Sequence, residues 1–197
     1  MRTPDTSRRP WWRPVLRRPA AAPQIHLRPL SPGDPAVAVV FDGLSATSRR
    51  LRFHAPTPRL TETAARRLQA VDGRRSAGVV AEVRTGAGSV PVGIARFDHT
   101  DQLRARMAVE VVDRWQGCGV GALLVTALGD LARECGYREL HVDVLPENVR
   151  VVQLLRRVFP GTHQSRTRRA VRVHCPLDWS HLPTEVHKLL ADLSAAG

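Results

Sequence analysis

Three glycines at alternate positions stand directly before an apolar stretch with helical spacing, and this feature constrains the chain most. The segment reads DRWQGCGVGALL over residues 113–124, with Gly117, Gly119 and Gly121 at its centre. Glycine permits positive φ and lets another group approach the backbone closely. A helix that begins there presents unpaired N–H groups and the positive end of its dipole, and both attract phosphate groups. The segment therefore predicts a phosphate-binding loop at the start of a helix.

Residue patterning on either side of the loop predicts an α/β domain. Before the loop, the patterns predict a strand at 24–30, helices within 31–45 and 57–71, and strands at 77–84, 90–100 and 104–113. After it, they predict a helix from Val120 to Ala132 that stops at Gly136, a strand at 139–145, a helix at 147–159 and a strand at 170–175. We expect residues 25–177 to form this domain, with a disordered Arg- and Pro-rich arm at 1–24 and a C-terminal helix at 178–197.

Charge and cysteine content limit the class of protein. The net charge is +12 over 197 residues, with 30 Lys and Arg against 18 Asp and Glu. Residues 1–30 hold seven Arg and one Asp, a net +6, so the remaining 167 residues carry the other +6. No apolar stretch approaches the roughly 20 residues of a membrane span. Three cysteines without disulfide or zinc spacing predict a reduced, cytoplasmic protein with no metal site.

Three kinds of phosphate site fit a glycine-rich loop of this sort. A P-loop requires Gly-Lys-Ser/Thr, but the last glycine here is followed by Ala-Leu, which excludes it. The dinucleotide fingerprint G-x-G-x-x-A is met by Gly117, Gly119 and Ala122. However, that motif follows an antiparallel meander, and only 52 residues remain after Leu145 for further strand–helix units. The third kind is a loop for the pyrophosphate of coenzyme A.

The loop carries a resemblance to a known family. Residues 116–121, QGCGVG, match the Q/R-x-x-G-x-G/A loop of the GNAT superfamily of acyltransferases, and the order of elements is similar over roughly 25–176. The segments LRPLSPGD, GLSATSRRLRFHAPTPRL and LLRR resemble the acetyltransferase domains of bacterial protein lysine acetyltransferases, whose targets include acyl-CoA synthetases. The resemblance implies a mixed, mostly antiparallel sheet flanked by helices. It also implies that the sheet is splayed at the acyl-CoA site, where the strand ending at Asp113 meets LHVDVL.

The resemblance also implies how acetyl-CoA, the expected co-substrate, is held without a metal. The N–H groups from Gly117 to Ala122 would hold the pyrophosphate, and the pantetheine would lie along the main chain of the preceding strand. A backbone N–H near Val111 would contact the thioester oxygen. The residues predicted to bind the cofactor are Val111, Val112, Gln116, Gly117, Cys118, Gly119, Val120, Gly121, Ala122 and Asn148, the last of which opens the next helix.

The group that removes the amine proton is where the sequence departs from the resembling subgroup. Its members often carry a glutamate ten residues before the loop glutamine, and this position is Arg106, which stays protonated and cannot act as a base. Glu110 lies four residues further on the same strand face, and we predict it as the catalytic base. The alternative is that Glu110 is a structural acid paired with a nearby arginine. The tyrosine that many family members place on the next helix is Leu155 here.

The resemblance implies an N-acetyltransferase that moves an acetyl group from acetyl-CoA to a primary amine. A protein lysine is the favoured acceptor because of SRRLRFHAPTPRL, since the two helices that this stretch connects line the acceptor side in the resembled family. The alternatives are a small-molecule amine acetyltransferase and a catalytically degenerate CoA-binding sensor. We expect no specific nucleic acid and no membrane as partner, since the domain has neither a helix-turn-helix signature nor a stacking aromatic strand. The oligomeric state stays open.

Overall fold

The computed structural model describes residues 24–177 apart from 87, 168 and 169. Nearly all of the predicted arm, and the whole predicted C-terminal helix at 178–197, lie outside the described residues. In chain order the elements are β1 (Ile25–Pro29), α1 (Ala36–Asp42), α2 (Ala46–Phe53), α3 (Glu62–Gln69), β2 (Ser76–Thr85), β3 (Gly88–His99), β4 (Arg104–Val111), a 3-10 turn (Asp113–Trp115), α4 (Val120–Glu134), β5 (Glu139–Val144), α5 (Val149–Val158), β6 (His163–Arg166) and β7 (Val171–Pro176).

The strands form one sheet in the order β1-β2-β3-β4-β5-β7-β6. Every neighbouring pair is antiparallel except β4 and β5, which run parallel. β4 and β5 pair only where Arg104, Ala105 and Arg106 lie opposite Glu139, Leu140 and His141. Beyond these three pairs both strands continue without pairing to each other, which leaves a gap in the middle of the sheet. The predicted mostly antiparallel, splayed sheet is thereby confirmed.

The two faces of the sheet carry separate cores. On one face, which we call the α4 face, α4 and α5 bury Leu124, Leu128 and Leu155 against the strands. On the opposite face, the α1 face, α1 packs Val40 against Val80 of β2, Ile94 of β3 and Val112, which follows β4. Successive strand residues alternate between these faces. Residues 140, 142 and 144 of β5 belong to the core of the α4 face, so residues 139, 141 and 143 point to the α1 face.

Helix α4 has the boundaries that its glycines predict. It begins after Gly119, which has a φ of 86°, and Gly136, with a φ of 91°, follows its last residues. Both values lie in the left-handed region, which costs an L-residue about 1–2 kcal/mol and costs glycine almost nothing. The helix thus starts at the loop and stops at the position that the sequence indicated.

Two elements differ from the sequence prediction. The stretch SRRLRF was predicted as a connection between two helices, whereas residues 46–53 form α2, a helix of its own. Its start is fixed by Ser45, whose side chain accepts a hydrogen bond from the Ser48 N–H at 3.2 Å, and it ends at His54, with a φ of 58°. Strand β6 was not predicted, because its four residues are all exposed and have no apolar alternation. It pairs with β7 through its backbone.

Candidate active site

The glycine loop presents its backbone N–H groups without partners. The N–H groups of Gly117, Cys118, Gly119, Val120 and Gly121 donate to no acceptor in the described part of the chain, whereas the next two already donate to the Gly119 carbonyl at 3.0 and 3.2 Å. No side chain caps the helix at Gly119. Unpaired donors and the positive end of a fifteen-residue helix therefore meet at one point. This donor set suits a diphosphate, as the sequence predicted.

The three loop glycines are required for different reasons. An added Cβ at Gly117 or Gly119 would meet nothing within 4 Å, so these positions need glycine for their positive φ of 75° and 86°. At Gly121 an added Cβ would lie 3.2 Å from Leu154 Cδ2 of α5 and 3.9 Å from Val111 Cγ2 of β4. Gly121 thus gives α5 room to pack close to the start of α4.

The gap between β4 and β5 exposes main-chain donors along β4. Val112 donates its N–H to the Val92 carbonyl on β3 at 2.9 Å. Because N–H directions alternate in an antiparallel pair, the N–H groups of Val111 and Val109 point away from β3 and into the gap. Of the two predicted main-chain contacts, the Val111 N–H therefore faces the gap and the Val112 N–H does not. Val109 is a further donor, which the sequence reasoning missed although strand alternation indicates it.

Gln116 and Asp113 join the loop to α2. The Gln116 side-chain amide donates to the Val111 carbonyl at 3.0 Å and to Ser48 Oγ at 3.3 Å. The Asp113 carboxylate accepts a hydrogen bond from the Ser45 N–H at 3.1 Å. Burial raises the pKa of Asp113, but hydrogen bonds from Ser45 and Ser48 outweigh it and hold that pKa below its ordinary value. The start of α2 is therefore attached to the loop that precedes α4.

Helix α2 also carries two arginines that bind carboxylates on the two sides of the gap. On the β4 side, Arg52 Nε lies 2.5 Å from Glu110 Oε1, with both side chains mostly buried, although the pair lacks hydrogen-bond geometry. On the other side, Arg50 donates to Glu147, in the turn between β5 and α5, at 2.7 Å. Helix α2 therefore links the β4 side of the gap to the β5–α5 turn. Sequence reasoning did not predict this link, because α2 was not predicted as a helix.

The ion pair bears on the predicted role of Glu110. Glu110 is on the α1 face, its side chain is 11% exposed, and its partner is Arg52. The alternative stated for it, a structural acid paired with an arginine, describes this geometry. The role of Glu110 as base stays a prediction. Arg106, at the position where relatives often have glutamate, lies on the same strand face and is exposed.

The remaining predicted residues lie around the mouth of the gap. Asn148 is the N-cap of α5, and its side chain makes no capping hydrogen bond, which leaves its amide available to a ligand. The Cys118 side chain is exposed in the loop, with Sγ 3.6 Å from the Gln116 carbonyl. Leu155, at the position of the family tyrosine, is fully buried in the core. Val120, the first residue of α4, is also buried, so it can contribute only main-chain groups to the loop site, whereas Ala122 is partly exposed.

Charged side chains continue along the α1 face beyond the gap. Arg172 of β7 donates to both carboxylate oxygens of Asp143 on β5, at 2.7 and 3.0 Å. This hydrogen bonding holds the pKa of Asp143 below its ordinary value. His141 lies between Asp143 and Glu139 on the same face and is 6% exposed. The sequence reasoning placed the strand ELHVDVL beside the cofactor but gave no role to its polar residues.

The described residues contain neither a candidate metal site nor a helix that could span a membrane. In residues 24–177, gaps aside, no group of three or more His, Cys, Asp and Glu side chains has an arrangement that could hold a metal ion. None of the helices in the described part of the chain has the length and apolar character needed to cross a lipid bilayer.

Comparison with known proteins matches this geometry to a family. The family model described as "Acetyltransferase (GNAT) family" matches residues 46–159. The crystal structure of the GNAT domain of S. lividans PAT is similar with 26% identity and a TM-score of 0.68, over 76% of this chain and 89% of that chain.

Two more distant structures share the fold. A putative phosphinothricin N-acetyltransferase is similar at 18% identity and a TM-score of 0.61, over 79% of this chain and 99% of that one. The spermidine N-acetyltransferase from Vibrio cholerae, in complex with CoA and spermine, is similar at 15% identity and a TM-score of 0.60, over 78% of this chain and 96% of that one. At these identities the likeness concerns the fold alone.

Proposed function

Since the chain belongs to the GNAT acetyltransferase family and is an acyl-CoA-dependent acetyltransferase, we propose that its acceptor is the side-chain amine of a protein lysine. The observation that carries this proposal is the similarity to the GNAT domain of S. lividans PAT, at 26% identity over 76% of the chain. The segment SRRLRF, which resembles protein lysine acetyltransferases, forms most of α2 beside the gap. Helix α2 therefore forms one wall of the proposed acceptor site.

The described surface is open on the side that such an acceptor would approach. On the α1 face, His163 and Ser165 of β6 are exposed, and the Arg172 side chain is 41% exposed. An extended lysine side chain can reach the gap across this face while the rest of the acceptor protein stays outside. A protein acceptor therefore needs no enclosed pocket for its remaining residues.

The proposed roles of the site residues follow from their positions. Acetyl-CoA supplies the acetyl group as a thioester. The unpaired N–H groups from Gly117 to Gly121 bind its pyrophosphate, and the Asn148 side chain is available to its pantetheine arm. The Val111 and Val109 N–H groups face the gap, where they can donate to the thioester oxygen as negative charge develops on it.

The amine must lose a proton before it can attack. A lysine ammonium with a pKa of about 10.4 is mostly protonated at neutral pH, so a base near the gap raises the concentration of the reactive amine. Glu110 is the base that the sequence predicts. The buried Leu155 cannot protonate the departing thiolate, but a thiolate is a good leaving group without an acid.

Mass spectrometry of a cell lysate incubated with the protein and isotope-labelled acetyl-CoA tests the acceptor. We expect label on lysine side chains of intact proteins. The Gly119→Glu variant is the matched control, because strain and a negative charge in the loop should prevent acetyl-CoA binding and abolish all labelling. Label confined to small metabolites would contradict a protein acceptor and point to a small-molecule amine.

A further inference from the structure

His141 lies at the point where the gap opens. It pairs with Arg106 in the last residue pair that joins β4 to β5, and beyond this pair the two strands separate. Its side chain points to the α1 face, the face that also carries Arg106 and Glu110. The pantetheine arm would run along β4 from the loop towards this point, so its thioester end is directed to the side of the gap where His141 lies.

The His141 ring is buried and has no hydrogen-bond partner in the described part of the chain. It is 6% exposed, and no hydrogen bond or ion pair involves its nitrogens. Its neighbour His174, whose ring centroid lies 6.5 Å away, is held at both nitrogens. His174 Nδ1 is 2.9 Å from Glu139, and Nε2 is 2.9 Å from Ser165 Oγ. His174 is thus fixed by the protein, whereas His141 keeps a free nitrogen.

Unlike His141, Glu110 already has a charged partner in the protein. Its charge is already balanced by Arg52 at 2.5 Å, and this pair attaches α2 to β4. The carboxylate therefore has a structural use that does not require a substrate. Arg106, the register partner of His141, cannot accept a proton. Among these side chains at the opening of the gap, His141 is the one that is both able to accept a proton and unpaired.

We infer that His141 is the general base that takes a proton from the attacking amine, an inference that rests on the proposed acetyl transfer to an amine. The ammonium gives one proton to the imidazole, directly or through one water, and the neutral nitrogen attacks the thioester carbon. The carbon–sulfur bond breaks as the carbon–nitrogen bond forms. The second amine proton goes to the departing thiolate, and His141 returns its proton to solvent. In total, two protons leave the nitrogen, and the acetyl group is transferred from sulfur to nitrogen.

The electrostatic surroundings keep His141 in the state that a base requires. Burial lowers its pKa below the ordinary value of 6.5, and the charge of Arg172 acts in the same direction. The carboxylates of Asp143 and Glu139 oppose the shift without reversing it. Burial and the Arg172 charge both favour the neutral ring, which is the form that can accept a proton. The charged and titratable groups around it are Arg106 on β4, Glu139 and Asp143 on β5, and Arg172 and His174 on β7. Glu110 is on the same face of β4, four residues beyond Arg106.

Three glutamine variants test the inference: His141→Gln, Glu110→Gln and His174→Gln. Thiol release from acetyl-CoA is measured with a synthetic lysine peptide and with spermidine as probes, and acetyl-CoA affinity is measured by calorimetry. We expect His141→Gln to lower kcat/KM by about 10²–10⁴-fold with unchanged acetyl-CoA affinity. His174→Gln, the matched control, should stay within a few-fold of wild type. Wild-type kcat/KM in His141→Gln would overturn the inference, and a loss confined to Glu110→Gln would restore Glu110 as the base.

A wild-type measurement keeps the inference testable if His141→Gln does not fold. The acid limb of the kcat/KM profile should lie below pH 6.5 and coincide with the titration of the His141 ring followed by NMR. An acid limb that does not follow this titration would overturn the inference.

Failure of the proposed function has a different signature. A wild type that binds acetyl-CoA but acetylates neither probe contradicts the amine acceptor. The slow hydrolysis of acetyl-CoA, with water as the acceptor, is then compared in wild type and His141→Gln. Equal hydrolysis rates would contradict His141 as a base as well.

Discussion

Replacing Gly119 by alanine should weaken acetyl-CoA binding through the backbone alone. The φ of Gly119 is 86°, and an added Cβ would meet nothing within 4 Å, so alanine introduces conformational strain without a steric clash. That strain is about 1–2 kcal/mol for an L-residue in the left-handed region. The loop can relieve this strain by rotating the peptide at residue 119, but the N–H groups of the first turn then no longer point towards the same ligand.

The effect on affinity follows from the donors that move. Loss of one hydrogen bond to a charged group costs about 1.5–3 kcal/mol, and 1.4 kcal/mol is tenfold in Kd. Calorimetry with acetyl-CoA should therefore show a Kd raised by roughly tenfold or more. In thermal unfolding, 1–2 kcal/mol corresponds to a fall in Tm of about 2–8 °C for a chain of this size.

Gly136→Ala is the matched control, because Gly136 follows the other end of the same helix. Its φ is 91°, and an added Cβ there also meets nothing within 4 Å. The variant should lose a similar amount of stability and keep the wild-type Kd. An unchanged Kd in Gly119→Ala would refute the assignment of the loop, and equal losses of affinity in both variants would show that general destabilisation is the cause.

Three further predictions concern other parts of the chain. Gly121→Glu should abolish acetyl-CoA binding in calorimetry while Gly121→Ala reduces it slightly, because alanine only displaces the flexible end of Leu154 and glutamate adds negative charge at the loop. Asp34→Asn should lower the free energy of unfolding at pH 7 by about 1–3 kcal/mol. Hydrogen bonding to Arg28 lowers the Asp34 pKa below 3.8, so the stability that the Asp34 carboxylate contributes is present above pH 3.8 and is lost as the pH falls through the folded-state pKa. In urea unfolding, the stability difference between wild type and Asp34→Asn should therefore be smaller at pH 3 than at pH 7. An equal difference at the two pH values would contradict the prediction. Deleting residues 1–24 should leave acetyl-CoA affinity unchanged and remove salt-sensitive binding of DNA in filter assays; DNA binding that survives the deletion and physiological salt would reveal a nucleic-acid function of the domain.

Periodic apolar residues made most of the fold predictable. Apolar residues alternate in β2 to β4 and recur every three or four positions in α4 and α5, because each of these elements buries one face. Helix α2 was missed because Arg49, Arg50 and Arg52 interrupt its apolar residues and none of its residues is buried. Its helical state depends on the Ser45 cap and on contacts with residues far along the chain. β6 has no apolar signal at all.

The part of the site formed by main-chain groups, the glycine loop, could be predicted from the sequence. Glycine spacing indicates positive φ and free N–H groups, so the loop could be located by residue number. The side-chain contacts were not predictable, because the Arg52–Glu110 pair and the Arg106–His141 pairing join residues 58 and 35 positions apart. A strand pattern shows that His141 shares a face with Asp143. It does not show which residue of β4 lies beside it, since parallel register is set by packing across the whole sheet.

The short pairing between β4 and β5 has a consequence for local unfolding. Only three residue pairs join β1–β4 to β5–β7 through the sheet, so much of the connection between these halves runs through helix packing on the α4 face. Regions that share few hydrogen bonds can open as separate cooperative units with different opening free energies. Amide hydrogen exchange of the free protein should therefore be faster in β5–β7 than in the centre of β1–β4. A ligand that lies in the gap adds contacts between the halves, and it should slow exchange in β5 and β7 more than in β2.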